Sequence, residues 1–233
     1  MSTLRTQLSV EHKCDHLFKV LICGDSAVGK TSILTRLVSN KFRVAHIRTL
    51  GVDFMMKYIT VQGQRVQLKI WDTAGQEEFD AITSQFFKRA QGVLLAYDVT
   101  NSRSFHSGLP KWIKKLKENI PQFEDAKVPI VLIGNKIDLE DQRVISHSEG
   151  LKFAQQHDMA YYETSCATSI NITEAVCGLV ERIMEEVSAT SQSMTESQLS
   201  PKEDAEKKHS IELSKSCSDC QCCKWKCRCP RNM

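Results

Sequence analysis

Apolar positions along this chain fall into two alternating patterns. Runs in which nearly every residue is apolar occupy 17–23, 92–98 and 128–135. Runs of that kind predict strands buried on both faces. Segments 52–61 and 65–71 instead approach a period of two, as strands with one covered face do, and 160–164 forms a short sixth strand. Between the strands, apolar residues recur at helical spacing over 30–39, 104–119, 146–156 and 171–188, with a shorter irregular helix over 79–89. Alternation of strands and helices predicts an α/β domain whose mainly parallel sheet is covered on both sides. Gln62-Gly63-Gln64 separates two alternating runs and predicts a hairpin, so one edge strand runs antiparallel. The expected fold class is α/β, a six-stranded mixed and mainly parallel sheet flanked by about five helices.

This pattern divides the chain into a flexible N-terminal extension (1–16), a globular body (17–187) and a tail (188–233). From Ser188 the composition turns to Ser, Thr, Gln, Lys and Glu without apolar periodicity, which reads as a disordered linker over 188–215. At 233 residues the chain holds one domain with a full core and some length to spare. A formal net charge of +3 gives no reason to expect nucleic acid as a partner. No apolar run approaches the ~20 residues that span a bilayer, and the first residues lack the apolar centre of a secretory signal. A cytosolic start is therefore expected. Of the ten cysteines, Cys14, Cys23, Cys166 and Cys177 are scattered through the body and six crowd the last segment. That distribution describes a globular body carrying a specialised tail, not a disulfide framework.

The first candidate chemistry lies between the first strand and the first helix. Gly24-Asp25-Ser26-Ala27-Val28-Gly29-Lys30-Thr31 has the form G-x-x-x-x-G-K-T. In a strand–loop–helix context this is a phosphate-binding loop. Backbone N–H groups from Ser26 to Ser32 and the positive end of the helix dipole converge on phosphate oxygens. Lys30 is expected to reach the β- and γ-phosphates, and the Thr31 hydroxyl to ligate Mg²⁺.

Two further constellations follow predicted strands. In Trp71-Asp72-Thr73-Ala74-Gly75-Gln76, Asp72 can hold Mg²⁺ directly or through water. Gly75 brings an N–H close to a γ-phosphate because no Cβ intrudes, and Gln76 is placed to orient an attacking water. In Asn135-Lys136-Ile137-Asp138 the residue types report the base. A carboxylate accepts from both N1–H and the exocyclic amine of guanine, a donor pair that adenine lacks. Asp138 is thus the guanine reader, Asn135 ties loops together, and Lys136 lies along the base. All three constellations fall at carboxyl ends of strands, where open α/β sheets bind ligands.

With these motifs in place, the chain over about 17–187 resembles the Ras superfamily of small GTPases, and within it the Rab family. The resemblance rests on the three motifs together with Leu50-Gly51-Val52-Asp53-Phe54, Leu68-Lys69-Ile70-Trp71, Phe86-Phe87-Lys88-Arg89-Ala90 and Leu95-Ala96-Tyr97-Asp98-Val99-Thr100; it is nearest to the secretory and recycling Rabs. It implies the P-loop NTPase fold of small G proteins and a GTP/GDP-cycling switch, acting as a monomer in vesicle traffic. It further implies that Thr49 closes on Mg²⁺ and the γ-phosphate. Phe42 packs on the guanine, and the backbone of Ser165-Cys166-Ala167 meets the guanine oxygen. Phe54, Trp71 and Phe86 form the effector-contacting triad, although core packing competes as the reason for Trp71.

The chain departs from the family where Ser165-Cys166-Ala167 replaces the usual Ser-Ala-Lys, so slightly weaker guanine affinity is expected. Arg48 and Glu78 replace commoner switch residues and should bear on partner choice. Gln76 is present, so slow intrinsic hydrolysis is expected. The implied partners are an exchange factor, a GTPase-activating protein, a GDI or escort protein and effectors. No nucleic acid is implied.

The tail carries Cys222, Cys223, Cys227 and Cys229 as lipidation candidates, flanked by Lys224, Lys226 and Arg228. Lipid plus basic charge is the pair of signals that stable anchoring takes, and it would place the protein peripherally on the cytosolic face of intracellular membranes, with a cytosolic pool. Four residues follow Cys229, however, and Pro230 stands where a C-a-a-X box needs cysteine. A zinc site at Cys217, Cys220 and Cys223 and an unanchored tail are the competing readings. Two rival functions are a nucleotide-holding pseudo-GTPase scaffold and an ATP-using P-loop kinase. Intact Lys30, Thr31, Thr49 and Gln76 weigh against the first, and Asp138 against the second.

Overall fold

A computed structural model describes residues 14–42, 52–73, 87–121, 123 and 128–197. Six strands form one sheet: β1 (His16–Cys23), β2 (Val52–Val61), β3 (Gln64–Thr73), β4 (Gly92–Asp98), β5 (Ile130–Asn135) and β6 (Ala160–Thr164). Their order is β2-β3-β1-β4-β5-β6. Every neighbouring pair is parallel except β2 with β3. Val61 pairs with Gln64, leaving a two-residue turn in which Gln62 (φ 50°) and Gly63 (φ 76°) are both left-handed. Two positive φ angles are what a tight hairpin with right-handed strand twist requires.

Four α-helices lie among the described residues: α1 (Lys30–Ser39), α2 (Leu109–Asn119), α3 (His147–Gln156) and α4 (Ile172–Ser197). The expected helix over 79–89 falls almost wholly outside the described residues. The period of two divides the strands between two cores. Val20 and Ile22 of β1, Leu94 and Ala96 of β4, and Val131 and Ile133 of β5 pack with α1 and α4. Leu21 and Cys23, Val93, Leu95 and Tyr97, and Ile130 and Leu132 point the other way, toward Trp112 and Leu116 of α2 and Ala154 of α3. With apolar cores on both sides, the strands read as continuous apolar runs in the sequence.

Three elements differ from the sequence reading. The helix expected over 104–119 starts with a π-turn, Ser104–Gly108, before α2. Pro110 lies within this helical run; it cannot donate to the carbonyl four residues back, and its ring crowds that carbonyl, so the preceding turn widens. The last helix continues to Ser197, which corrects the linker expected from Ser188. Helix propagation adds a hydrogen bond for each residue fixed, and the segment contains neither Gly nor Pro before Pro201. A 3₁₀ turn, Glu140–Gln142, was not anticipated. The start of α3 is fixed by Ser146, whose hydroxyl accepts from the Glu149 N–H at 3.3 Å.

No described helix is long and apolar enough to cross a membrane.

Candidate nucleotide-binding site

The carboxyl ends of β1, β3, β5 and β6 share one rim of the sheet, and the motif residues assemble there. The first loop turns sharply between β1 and α1, with Gly24 (φ 139°), Ala27 (φ 65°) and Gly29 (φ 100°) all at positive φ. A Cβ on Gly24 would sit 2.2 Å from the Ala96 carbonyl oxygen, so only glycine lets the loop close against β4. Successive residues alternating into left-handed conformations turn their N–H groups inward and create an anion-binding concavity. Lys30 is buried at the base of this loop. Its Nζ donates to the carbonyls of Gly24 at 2.7 Å and Asp25 at 2.8 Å. Burial lowers the Lys30 pKa, an effect opposed first by the nearby Asp72 carboxylate. Ser26 and Ala27 are exposed at the mouth, Thr31 and Ser32 are half-buried in the first turn of α1, and Val28 is fully buried.

The Thr31 hydroxyl donates to Asp72 Oδ2 at 2.5 Å, and Asp72 is buried at the end of β3. A hydroxyl and a carboxylate held together beside a phosphate loop form an all-oxygen, hard donor pair, which suits Mg²⁺. Thr49, Gly75 and Gln76 lie outside the described residues.

The base end is built around Asn135, almost fully buried. Its Nδ2 donates to the Val28 carbonyl at 2.8 Å. Its Oδ1 accepts from the Thr164 hydroxyl at 3.1 Å and from the Cys166 thiol at 3.6 Å. One amide thus joins the phosphate loop, β5 and the loop after β6. Lys136 adopts φ 72°, and its ammonium pairs with Asp98 Oδ2 at 2.6 Å. Asp98 Oδ1 in turn accepts from the N–H and hydroxyl of Thr100. Asp138 is exposed, and Ser165 Oγ donates to its Oδ1 at 2.6 Å, which sets the carboxylate's orientation. Burial pushes the Cys166 thiol up to about 11. Cys166 is therefore a neutral packing group, while Ala167 is exposed.

Sequence reasoning passed over Arg36. From α1 its Nε donates to the Cys166 carbonyl at 2.8 Å and its Nη2 to the Ala167 carbonyl at 3.1 Å. The same guanidinium lies 5.9 Å from the Phe42 ring centroid. Arg36 therefore links the two features that the resemblance assigns to the base. Nothing in the local sequence marks it, because its partners are about 130 residues away. The sequence assigns Asp98 no role at the site, and its pairing with Lys136 is also a tertiary fact.

The proposed effector residues divide. The Phe54 and Trp71 rings pair across β2 and β3 at 4.9 Å between centroids. Phe54 is exposed, whereas Trp71 is partly buried against the core on the α2 side. Trp71 therefore packs against that core and still leaves part of its side chain at the surface. Phe86 and the four tail cysteines lie outside the described residues.

A profile described as the Ras family matches residues 19–185. Human Ras-related protein Rab-15 is 43% identical over 171 residues, which cover 73% of this chain and 78% of that protein. Rab-10 of Diplobatis ommata is 42% identical over 171 residues, covering 73% and 83%. Rab-13 of the dog, Canis lupus familiaris, is 39% identical over 170 residues, covering 73% and 81%. The chain belongs to the Rab family of Ras-superfamily small GTPases. It is a guanine-nucleotide-binding GTP hydrolase involved in vesicle trafficking.

Proposed function

We propose that this protein is a Mg²⁺-dependent GTP/GDP switch in which Lys30 and the 24–31 loop hold the phosphates and Asp138 reads guanine. What carries this reading is the convergence of Lys30, the Thr31–Asp72 pair and the Asn135–Asp138 segment on one rim of the sheet. Thr31 and Asp72, with Thr49, hold Mg²⁺ directly or through water. Bound there, the ion neutralises charge on the phosphate oxygens. Asp138 accepts from both donors of the guanine edge, with Ser165 keeping the carboxylate in place. The backbone of Ser165, Cys166 and Ala167 meets the guanine oxygen, and Arg36 holds that backbone from behind.

Gln76 orients the water that attacks the γ-phosphate. Thr49 and Gly75 contact that phosphate in the GTP state, so its loss releases both switch segments. A GTPase-activating protein supplies the arginine that speeds hydrolysis by ~10³–10⁵. An exchange factor opens the site to release GDP. Effectors read Phe54, Trp71 and Phe86 in the GTP form. Lipidation at Cys222, Cys223, Cys227 or Cys229, with the neighbouring basic residues, places the protein peripherally on intracellular membranes. A GDI or escort protein accounts for a cytosolic pool.

The test is single-turnover hydrolysis of GTP loaded on the purified protein. The parent should release phosphate slowly and exchange nucleotide rapidly once EDTA is added. Gln76→Leu should slow hydrolysis about tenfold or more while leaving GTP affinity nearly unchanged. An unchanged rate in Gln76→Leu would remove Gln76 from the mechanism. Intact mass of the protein from eukaryotic membranes tests the tail: added isoprenoid or palmitoyl mass on the 222–229 segment supports the anchor, and an unmodified tail in a soluble pool refutes it.

A further inference from the structure

We propose that Asp25 and Trp112 form a clamp that holds the phosphate loop in its nucleotide-retaining shape, making both of them positioning residues for Lys30. Trp112, on α2, is almost fully buried, and its indole Nε1–H donates to Asp25 Oδ1 at 2.9 Å, across 87 residues of sequence. The backbone carbonyl of Asp25 accepts from Lys30 Nζ at 2.8 Å. Fixing the Asp25 side chain thus fixes one of the two carbonyls that hold the ammonium. The two residues after it, Ser26 and Ala27, are exposed, and Gly24 sits at φ 139°. Both neighbours being glycine-like or solvent-facing, the Asp25 carboxylate is a point at which this half of the loop is tied to a rigid element.

The helix is shaped to accept that carboxylate. A Cβ on Gly108 would lie 2.6 Å from Asp25 Oδ2, closer than real Cβ contacts come, so the carboxylate would have to shift. Gly108 closes the π-turn that precedes Pro110, and Leu109 N–H donates to the Phe105 carbonyl there. π-Turns inside helices recur at functional sites. Here the widened turn places a residue without a side chain against the phosphate loop. Lys115 lies over the Trp112 ring at 4.9 Å, bracing the indole from the same helix. A hydrogen bond to a charged acceptor in this shielded position is stronger than a neutral one. Its loss should loosen the loop and speed nucleotide release.

The inference rests on the 24–31 loop holding guanine nucleotide. It is tested on the full-length chain loaded with fluorescent mant-GDP, in Mg²⁺, by chasing with excess GDP and following release. Trp112→Phe keeps an aromatic ring and removes the N–H. Asp25→Ala removes the acceptor, and Asp25→Asn keeps one. Trp112→Phe and Asp25→Ala should each release mant-GDP about tenfold faster. The double variant should be no faster than the faster single variant, because both remove one bond. Asp25→Asn keeps an acceptor but a neutral, weaker one, and should release at a rate between the parent and Asp25→Ala. Gly108→Ala should release faster, by pushing the carboxylate aside.

Release from Trp112→Phe at the parent's rate would overturn the clamp, as would multiplying effects in the double variant. If Trp112→Phe does not fold, the Asp25 pair decides: Asp25→Ala at the parent's rate, or Asp25→Asn as fast as Asp25→Ala, overturns it. A parent that retains no guanine nucleotide would overturn the site and the clamp together, so the two failures are distinguishable.

Discussion

The side-chain amide of Asn135 reaches across 107 residues of sequence to donate to the Val28 carbonyl at 2.8 Å. It joins the Asn135–Asp138 segment to the 24–31 loop. A Cβ on Gly29 would stand 2.3 Å from that same amide nitrogen, so the glycine and the asparagine require each other. Asn135→Ala leaves the Val28 carbonyl and the Thr164 hydroxyl without their shared partner in a buried place. Such unpaired groups cost about 1–3 kcal/mol each. The expected outcome is a loss of roughly 2–4 kcal/mol in urea unfolding, together with faster GDP release. An unfolding curve superimposable on the parent's would refute the bridging role.

Asp138 and Ser165 should separate recognition from orientation. Asp138→Ala removes both acceptors for guanine and should weaken GDP binding by about 100-fold or more, with little change in stability at this exposed position. Ser165→Ala keeps the carboxylate and loses the 2.6 Å bond that aims it, along with the bond that the same hydroxyl accepts from the Thr168 N–H at 3.1 Å. A drop of about five- to tenfold is expected, the share of one hydrogen bond. Titration of each variant with GDP, and with an adenine nucleotide as control, measures the ranking. Equal losses in the two variants would mean that the carboxylate does not read the base.

Arg36 holds the carbonyls of Cys166 and Ala167 with two different nitrogens. An ammonium cannot reproduce that fork. Arg36→Ala should speed GDP release several-fold, and Arg36→Lys should fail to restore the parent's rate. Complete rescue by lysine would reduce the role of Arg36 to its charge. The measurement is release of a fluorescent guanine nucleotide from each variant.

Tyr97 gives the fold a signature in alkaline solution. Its hydroxyl is hydrogen-bonded to that of Tyr161 at 2.8 Å, Tyr161 donates to Glu163 at 3.0 Å, and Arg143 grips Glu163 with two nitrogens. Burial first, and the nearby Glu163 with it, push the Tyr97 phenol up to about 12 from its ordinary 10. A folded-state pKa above the unfolded one means that the folded protein binds the proton more tightly. That contribution is fully present below pH 10 and is lost as the pH rises through about 12. On the order of 2–3 kcal/mol of stability should disappear across that window. Tyr97→Phe should be less stable than the parent at pH 7 by about 1 kcal/mol, yet lose less on going to pH 11. Unfolding free energies measured at both pH values check the sign.

The sequence placed α1 and strands β2, β4 and β6 at the bounds the structure shows. It placed β3 short at both ends and began β5 at Val128 rather than Ile130. Strand and helix periodicity are local, so a window of ten residues contains the signal. The Ser104–Gly108 π-turn was missed because Pro110 acts on the turn before it and leaves the apolar spacing of the helix recognisable. The end of α4 was misplaced for a related reason. Its last turns carry no apolar pattern of their own and continue a helix whose earlier turns are packed.

By itself the sequence determined the phosphate-loop motif, the carboxylate proposed to read guanine, the order of strands and helices and the family. Each of these depends on residue types at short, fixed spacings. Only the tertiary structure decided which side chains hold the site together: Asn135 on Val28, Arg36 on the loop after β6, Lys136 on Asp98, and Asp25 on Trp112. These are one or two hydrogen bonds, or an ion pair, between segments distant in the chain. Their partners meet because the sheet stacks its carboxyl ends on one rim, a juxtaposition that no local spacing encodes.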